Sequence, residues 1–169
     1  MTTYMMPPLG LRDIRGYASR FRQIFKCDAD GYVNIVKIFE SLADLGVDIE
    51  IVPQSVLGDK HGETFPVQQK IQIREDVYER ACDGHGRDRL TIAHEIGHLV
   101  LHGPKKISLA RLASGASIPT YCDPEWQANA FAGELLAPFQ FIHGLSVDEV
   151  KLKYGVSAQA AQVQLRRCH

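Results

Sequence analysis

The sequence predicts an α+β protein that is mainly helical and carries a small β-sheet. Long segments repeat their apolar side chains every three or four positions, which is the period of an α-helix. Two short segments alternate apolar and polar residues, which is the period of a strand. Apolar residues make up 45% of the 169-residue chain and charged residues 23%. This composition is typical of a globular protein with a sizeable core.

The N-terminal part of the chain predicts two helices. Leu9 to Phe25 reads as an amphipathic helix, and Val33 to Leu45 as a second helix that Gly46 ends. The first helix carries four arginines, which we expect on a solvated face rather than in a binding patch. They are Arg12, Arg15, Arg20 and Arg22.

Two strands and a short helix are expected next. Val47 to Val52 alternates and precedes a proline, and Val67 to Ile73 carries isoleucines on one face. Asp76 to Ala81 predicts a turn or short helix, and Cys82 to Arg87 a loop with two glycines. The two strands are expected to form the small sheet.

A buried helix is predicted from Asp88 to His102. Asp88 is a suitable N-cap, and the sequence Gly-Pro after His102 is a strong stop signal. Leucine, alanine, glycine and valine recur at helical spacing, so much of the circumference should face the core.

This helix contains the motif H-E-x-x-H at His94, Glu95 and His98. Histidines four residues apart lie about 40° and about 6 Å from each other on a helix. Both imidazoles can therefore reach one metal ion, and Glu95 can act as a general base toward water. The alternative is a chance match on an ordinary amphipathic helix, but polar groups in such apolar surroundings need a partner.

A catalytic zinc normally has three protein ligands, so a third is needed. His102 lies too far along the same helix and can instead cap free carbonyls at the helix end. His85 and His143 stay open as alternatives. Glu125 is the better candidate, although a first-turn acid that favours the helix dipole would also explain it.

Glu125 belongs to a helix that Asp123 and a following proline begin and that extends to about Ala137. Asn129 lies on the same face as Glu125, and its oxygen can accept a hydrogen bond from His94. Glu134 lies about 180° away, where it is expected to be solvated or a structural partner.

The segments around this second helix are less regular. Lys105 to Tyr121 predicts a loop, with a short helical turn at Leu109 to Ala113, that can line a substrate cleft. Ser146 to Tyr154 and Ser157 to Arg167 predict a helical pair around Gly155 that resembles a helix-turn-helix. The second of these helices has no basic residue before Arg166, so a structural pair is favoured over a DNA reader.

Charge, cysteines and hydropathy exclude several classes of protein. The net charge is −1, so no global field favours nucleic acid or membrane. The four cysteines are widely and irregularly spaced, which indicates neither a disulfide framework nor a cysteine zinc site. No apolar run reaches membrane-spanning length, and no secretion signal is visible. We therefore expect a cytoplasmic protein with reduced thiols.

Three segments resemble the ImmA/IrrE family of metallopeptidases. They are RLTIAHEIGHLVLH at 89–102, EWQANAFAGELLAP at 125–138 and VKLKYGVSAQAAQVQL at 150–165, which looks like the family's C-terminal helical tail. The resemblance extends weakly upstream, through the strands from about residue 47. The resemblance implies a zinc-peptidase-like domain with His94, His98 and Glu125 as metal ligands and Glu95 as the catalytic residue. Ala137 departs from the methionine that is frequent there, which is a packing position.

The resemblance covers about two-thirds of the chain and suggests its organisation. We expect a single domain at 1–169, with N-terminal helices at 1–45, a metallopeptidase core at 46–140 and a helical tail at 141–169. The first 45 residues carry little of the resemblance.

The resemblance also implies a zinc-dependent endopeptidase that cleaves a specific intracellular protein. Characterised relatives cut a helix-turn-helix repressor, often encoded beside them on mobile elements. The second electrophile of the reaction is open among Tyr121, His85 and His143. The alternative is a non-catalytic regulatory module, such as a toxin–antitoxin-like partner or a DNA-binding protein, with a structural metal.

Overall fold

The computed structural model describes residues 4–103, 110–111 and 117–168. Its helices are α1 (Leu11–Ile24), α2 (Ile35–Ser41), α3 (Gln54–Leu57), α4 (Glu75–Cys82), α5 (Gly86–Leu101), α6 (Pro124–Leu136), α7 (Phe139–Ile142), α8 (Val147–Tyr154) and α9 (Ala158–Arg166). Its strands are β1 (Tyr4–Met5), β2 (Asp48–Val52), β3 (Gly62–Phe65), β4 (Lys70–Arg74) and β5 (Ala110–Arg111). The mainly helical α+β fold predicted from the sequence is confirmed.

The main sheet has three strands in the order β2–β4–β3. Strand β4 runs parallel to β2 and antiparallel to β3, and Ile71 and Ile73 of β4 are fully buried on one face. The predicted start of this strand at Val67 is wrong, because Val67 lies in an exposed turn. Gln69 has a φ of 53° in that turn, where the chain reverses direction. Because of this reversal, residues before the turn pair with β4 as strand β3, which the sequence did not predict.

Helices α5 and α6 pack against each other at the centre of the hydrophobic core. Gly97 of α5 makes this approach close, since a Cβ there would lie 3.1 Å from the carbonyl oxygen of Ala128. The neighbouring Ala93 and Ala132 are also fully buried. Small side chains therefore bring the backbones of the two helices together.

Helix α5 begins earlier than the sequence predicted. It starts at Gly86, and Asp88 is not its N-cap. The buried Asp88 carboxylate instead accepts two hydrogen bonds of 3.0 Å from Arg80 of α4. An ion pair between neighbouring helices thus replaces the predicted cap.

Helix α1 packs on α6. Two of its four arginines lie on the solvated face that the sequence predicted, and two do not. Arg12 and Arg20 are exposed as expected. Arg22 is instead buried and donates to the carbonyl oxygen of Leu135, and Arg15 donates to Glu134 at 3.2 Å. Glu134 is buried and also accepts from Gln164 of α9, so of its two predicted roles it takes that of a structural partner.

The C-terminal helical pair forms as the sequence predicted. Ser146 and Ser157 cap α8 and α9, and Gly155 ends α8 with a φ of 63°. The predicted turn at Leu109 to Ala113 is replaced at its centre by β5, which pairs with β1. The rest of that turn lies outside the described residues.

Arg89 joins the N-terminal part, α5 and the C-terminal pair. Its side chain is 1% exposed and donates to the carbonyl oxygens of Tyr154 (2.8 Å), Gly155 and Val33 (2.5 Å). Its guanidinium also stacks 4.0 Å from the ring of Tyr32. One buried cation therefore satisfies backbone acceptors from two distant segments.

Arg89→Met should lower the free energy of unfolding by about 3 kcal/mol or more, because each orphaned buried carbonyl costs about 1–3 kcal/mol. Urea unfolding followed by circular dichroism measures this change. Arg87→Met, an exposed site on the same helix, is the control and should shift stability by less than about 0.5 kcal/mol. Equal midpoints for the two variants would contradict the role given to Arg89.

Candidate metal centre

Three side chains from α5 and α6 converge on one point. His94 and His98 lie one turn apart on α5, with their Nε2 atoms 2.9 Å from each other. Glu125 approaches from α6, with its oxygens 3.2 Å from His94 Nε2 and 3.3 Å from His98 Nε2. Asp123 fixes the first turn of α6 by accepting from the backbone N–H of Glu125 at 2.9 Å. The structure therefore brings together the three ligands that the sequence suggested.

The chemistry of these atoms fits a bound cation. Nδ1 of His94 donates to Oδ1 of Asn129 at 2.9 Å, so in the neutral ring Nε2 carries a lone pair. Lone pairs and carboxylate oxygens that face each other at about 3 Å repel unless a positive charge lies between them. Four tetrahedral ligands 2.0–2.1 Å from zinc are themselves about 3.3 Å apart. The residues thus fit a zinc-type ion.

The electrostatics of the cluster also favour positive charge. When no ion is bound, protons on the imidazoles can take its place: hydrogen bonds from His94 and His98 then hold the pKa of Glu125 well below its usual range. Burial lowers the pKa of His94, but the hydrogen bond to Glu125 and the charge of Glu95 outweigh burial, so the pKa of His94 lies above its ordinary value. Within the described part of the chain, no other cluster of three such groups meets the geometry of a metal site.

Glu95 is held against the sheet. Thr64 Oγ1 of β3 donates to Glu95 Oε2 at 2.6 Å. Gly62 allows this contact, because a Cβ at that position would lie 2.8 Å from Glu95 Cγ. Glu95 is 7% exposed and, together with His94, borders an open groove. The sequence did not indicate Gly62 or Thr64, because β3 itself was not predicted.

His102 is the C-cap residue of α5, but its imidazole does not bond to free carbonyls there, which corrects the role expected from the sequence. It is buried, with Nδ1 3.0 Å from Nδ1 of His98 and Nε2 2.9 Å from Oε1 of Gln127. Burial lowers the pKa of His102 to about 4, so its imidazole is neutral. His102 therefore lies behind a metal ligand instead of being one. Gln127 is a further residue that the sequence did not single out.

The groove beside the metal centre has a volume of about 580 Å³. Its walls come from the segment that begins β3 and from α5, α6 and α9. Its lining includes His61, Leu90, Trp126, Ala160 and Val163. Helix α9, which resembled a recognition helix in the sequence, therefore forms a wall of this groove.

The three residues suggested as a second electrophile lie away from the groove lining. His85 precedes α5 and is nine residues from His94, which corresponds to about 13 Å along a helix. His143 lines a separate pocket with Leu165. Tyr121 has a half-exposed side chain. The geometry adds His61 at the groove, and the choice of electrophile stays a prediction.

The fold and the site together define a helical α+β protein in which the two histidines of an H-E-x-x-H motif and a glutamate from a second helix could hold one metal ion. The sequence profile of the peptidase M78 family, described as the IrrE N-terminal-like domain, matches residues 43–166. The chain belongs to this family. The resemblance predicted from the sequence is therefore confirmed.

A solved structure of a Mycobacterium tuberculosis transcriptional regulator is similar in fold, with a TM-score of 0.58 and 15% sequence identity. The match covers 90% of this chain and 46% of the regulator. No curated protein matches the sequence. Among the described residues, no helix has the length and apolar character needed to span a bilayer.

Wild-type protein purified from zinc-containing medium should carry about one zinc ion per chain, whereas His98→Ala and Glu125→Gln should lose most of it. Elemental analysis by mass spectrometry measures this content. His85→Ala, which removes a histidine from the start of α5, is the control and should retain zinc. The zinc-free protein should keep its helical spectrum, because the ligands lie at the edge of an intact apolar core. Full zinc in His98→Ala would contradict the site.

Proposed function

We propose that the protein is a zinc-dependent endopeptidase that hydrolyses a specific protein in the cytoplasm. The observation that carries this proposal is the position of Glu95. Its carboxylate borders the groove next to His94, one of three side chains whose geometry suits a zinc ligand set. A purely structural metal site would not need an acid beside the ligands at an open groove.

The mechanism assigns the proton transfers to Glu95. A zinc ion held by His94, His98 and Glu125 would lower the pKa of a water molecule toward about 7 and polarise a carbonyl group. Glu95 accepts the proton of the attacking water and passes it to the leaving amine. Thr64 donates to Oε2 of Glu95, which leaves Oε1 free to take the proton. Asn129 keeps His94 in the tautomer that a ligand needs.

The groove supports an extended peptide segment as the substrate. It is open to solvent and contains both apolar and polar lining groups. Leu90, Trp126 and Val163 supply apolar contacts for a substrate side chain, whereas Asn129 offers an amide to a peptide backbone. We propose that the substrate is a helix-turn-helix repressor encoded beside this protein. The ImmA/IrrE resemblance suggests this class.

Direct binding of nucleic acid is the less favoured function. Ala161 and Gln164 of α9 are buried, and Ala160 and Val163 face the groove. Few side chains of α9 then remain that could contact bases in a DNA groove. The basic residues of this segment are Arg166 and Arg167 at its end, which offer little positive charge for phosphate binding. A regulatory module with a structural metal is the other alternative, and it would unfold when the metal is removed.

Glu95→Gln should retain zinc but lose cleavage of the repressor by about 10²-fold or more, because the general base is removed. Purified protein is mixed with the product of the neighbouring repressor gene, and fragments are followed by gel and mass spectrometry. Glu79→Gln, an exposed acid on α4, should cleave like the parent. Cleavage by zinc-loaded Glu95→Gln at the parental rate would refute the mechanism.

Val163→Trp should reduce kcat/KM by about 10-fold or more without loss of zinc, because an indole at this position fills the groove. The exposed neighbour Gln162 does not line the groove. Gln162→Trp is therefore the matched control and should leave kcat/KM within about 2-fold. Equal effects of the two substitutions would show that substrate does not pass between α9 and the metal centre.

A further inference from the structure

We propose that Gln127 and His102 form a hydrogen-bond chain that sets the tautomer of His98 and thereby its strength as a metal ligand. The inference rests on the metal centre of the proposed function. It assigns positioning roles to two buried residues that lie behind the ligands. It also connects the N-terminal segment of the protein to the metal centre.

The orientation of the Gln127 amide is fixed by two backbone acceptors. Its Nε2 donates to the carbonyl oxygens of Pro7 at 2.9 Å and Tyr121 at 2.8 Å. A carbonyl oxygen can only accept, so both amide protons point toward these two groups. Oε1 of Gln127 therefore faces His102 as an acceptor, because a reversed amide would direct its oxygen at two carbonyl oxygens.

The orientation of Gln127 selects the tautomers of two imidazoles. His102 donates from Nε2 to Oε1 of Gln127, and a neutral imidazole that is protonated at Nε2 carries a lone pair on Nδ1. This lone pair accepts from the Nδ1–H of His98 at 3.0 Å. Nε2 of His98 is then unprotonated and faces Glu125, as a metal ligand must.

The acceptors themselves are held by the N-terminal segment. The backbone N–H of Met6 donates to Cys122 and that of Leu9 donates to Tyr121, both at 2.9 Å. Pro7 lies between these two contacts, so its carbonyl is fixed against the turn that contains Tyr121. Residues outside the family match at 43–166 thus support the second histidine ligand.

The two histidine ligands differ in what orients them. His94 depends on a single acceptor, Asn129. His98 depends on His102, which is ambiguous by itself because either ring nitrogen of a neutral imidazole can carry the proton. Gln127 removes this ambiguity. Loss of such a partner typically weakens metal binding by 10–100-fold.

The test compares zinc affinities, measured by competition with a chromophoric chelator, for full-length wild type and three variants. Gln127→Met removes the acceptor at similar volume and should weaken zinc binding by about 10-fold or more. Gln127→Glu keeps an oxygen facing His102 but loses both amide donors. It should therefore be less stable than wild type, yet bind zinc more tightly than Gln127→Met. Gln164→Met is the matched control, since it removes another buried glutamine with no contact to the metal centre.

A purely structural role would make zinc affinity follow stability across the three variants, and that result would overturn the proposal. Gln164→Met should lose stability while its zinc affinity stays within about 2-fold of wild type. Nitrogen-15 spectra of the imidazoles in zinc-free protein give a second readout. They should show His98 protonated at Nδ1 and His102 at Nε2, and the opposite tautomers would also overturn the proposal.

Failure of this inference can be told apart from failure of the proposed function. Wild type that binds zinc and cleaves, with a Gln127→Met variant of equal affinity, overturns the hydrogen-bond chain alone. Wild type that binds zinc with the expected ranking of variants but cleaves no repressor supports the chain and counts against the peptidase. Wild type that binds no zinc overturns both.

Discussion

The close contact between α5 and α6 is the constraint on which the rest of the site depends. A single Cβ at Gly97 would already crowd the carbonyl of Ala128 at 3.1 Å. Because the backbones approach so closely, short side chains can join the helices directly, as Asn129 and Gln127 do. A larger residue at Gly97 would separate the helices and break these contacts together, since hydrogen bonds weaken steeply beyond their normal length. The metal centre is therefore the polar edge of a packed helix interface.

This interface leaves one electrostatic conflict. Polar groups inside a packed core must be satisfied, and the ring nitrogens of His94, His98 and His102 all have a neighbour within 3.0 Å. Between the two Nε2 atoms and Glu125, however, acceptors face acceptors. The surrounding hydrogen bonds prevent the imidazoles from turning to relieve this repulsion. The fold thus holds its ligands in a geometry that favours a cation, which is how preorganisation raises metal affinity.

Local patterns made the centre of the site predictable, whereas contacts between distant segments were not. The spacing of His94 and His98 and the N-cap at Asp123 are properties of a few adjacent residues, so periodicity and capping placed these side chains on their helices. The choice of Glu125 as the third candidate ligand needed the family resemblance as well. Thr64 contacts Glu95 from 31 residues away, and its strand depends on the left-handed conformation of Gln69, which is uncommon for a residue other than glycine. Arg22 resembled a surface cation, and its burial depends on backbone carbonyls that no sequence pattern reveals.

The residues that precede the family match at 43–166 also stabilise the site. Pro7 accepts from Gln127, Arg15 pairs with Glu134, and Val33 accepts from Arg89. Each contact satisfies a buried polar side chain that lies within residues 43–166. Without the N-terminal segment, each of these three side chains would lose one hydrogen-bond partner. A polar group that stays buried without its partner costs about 1–3 kcal/mol of stability. The first helix and its flanking residues are therefore structurally joined to the domain that the family profile matches.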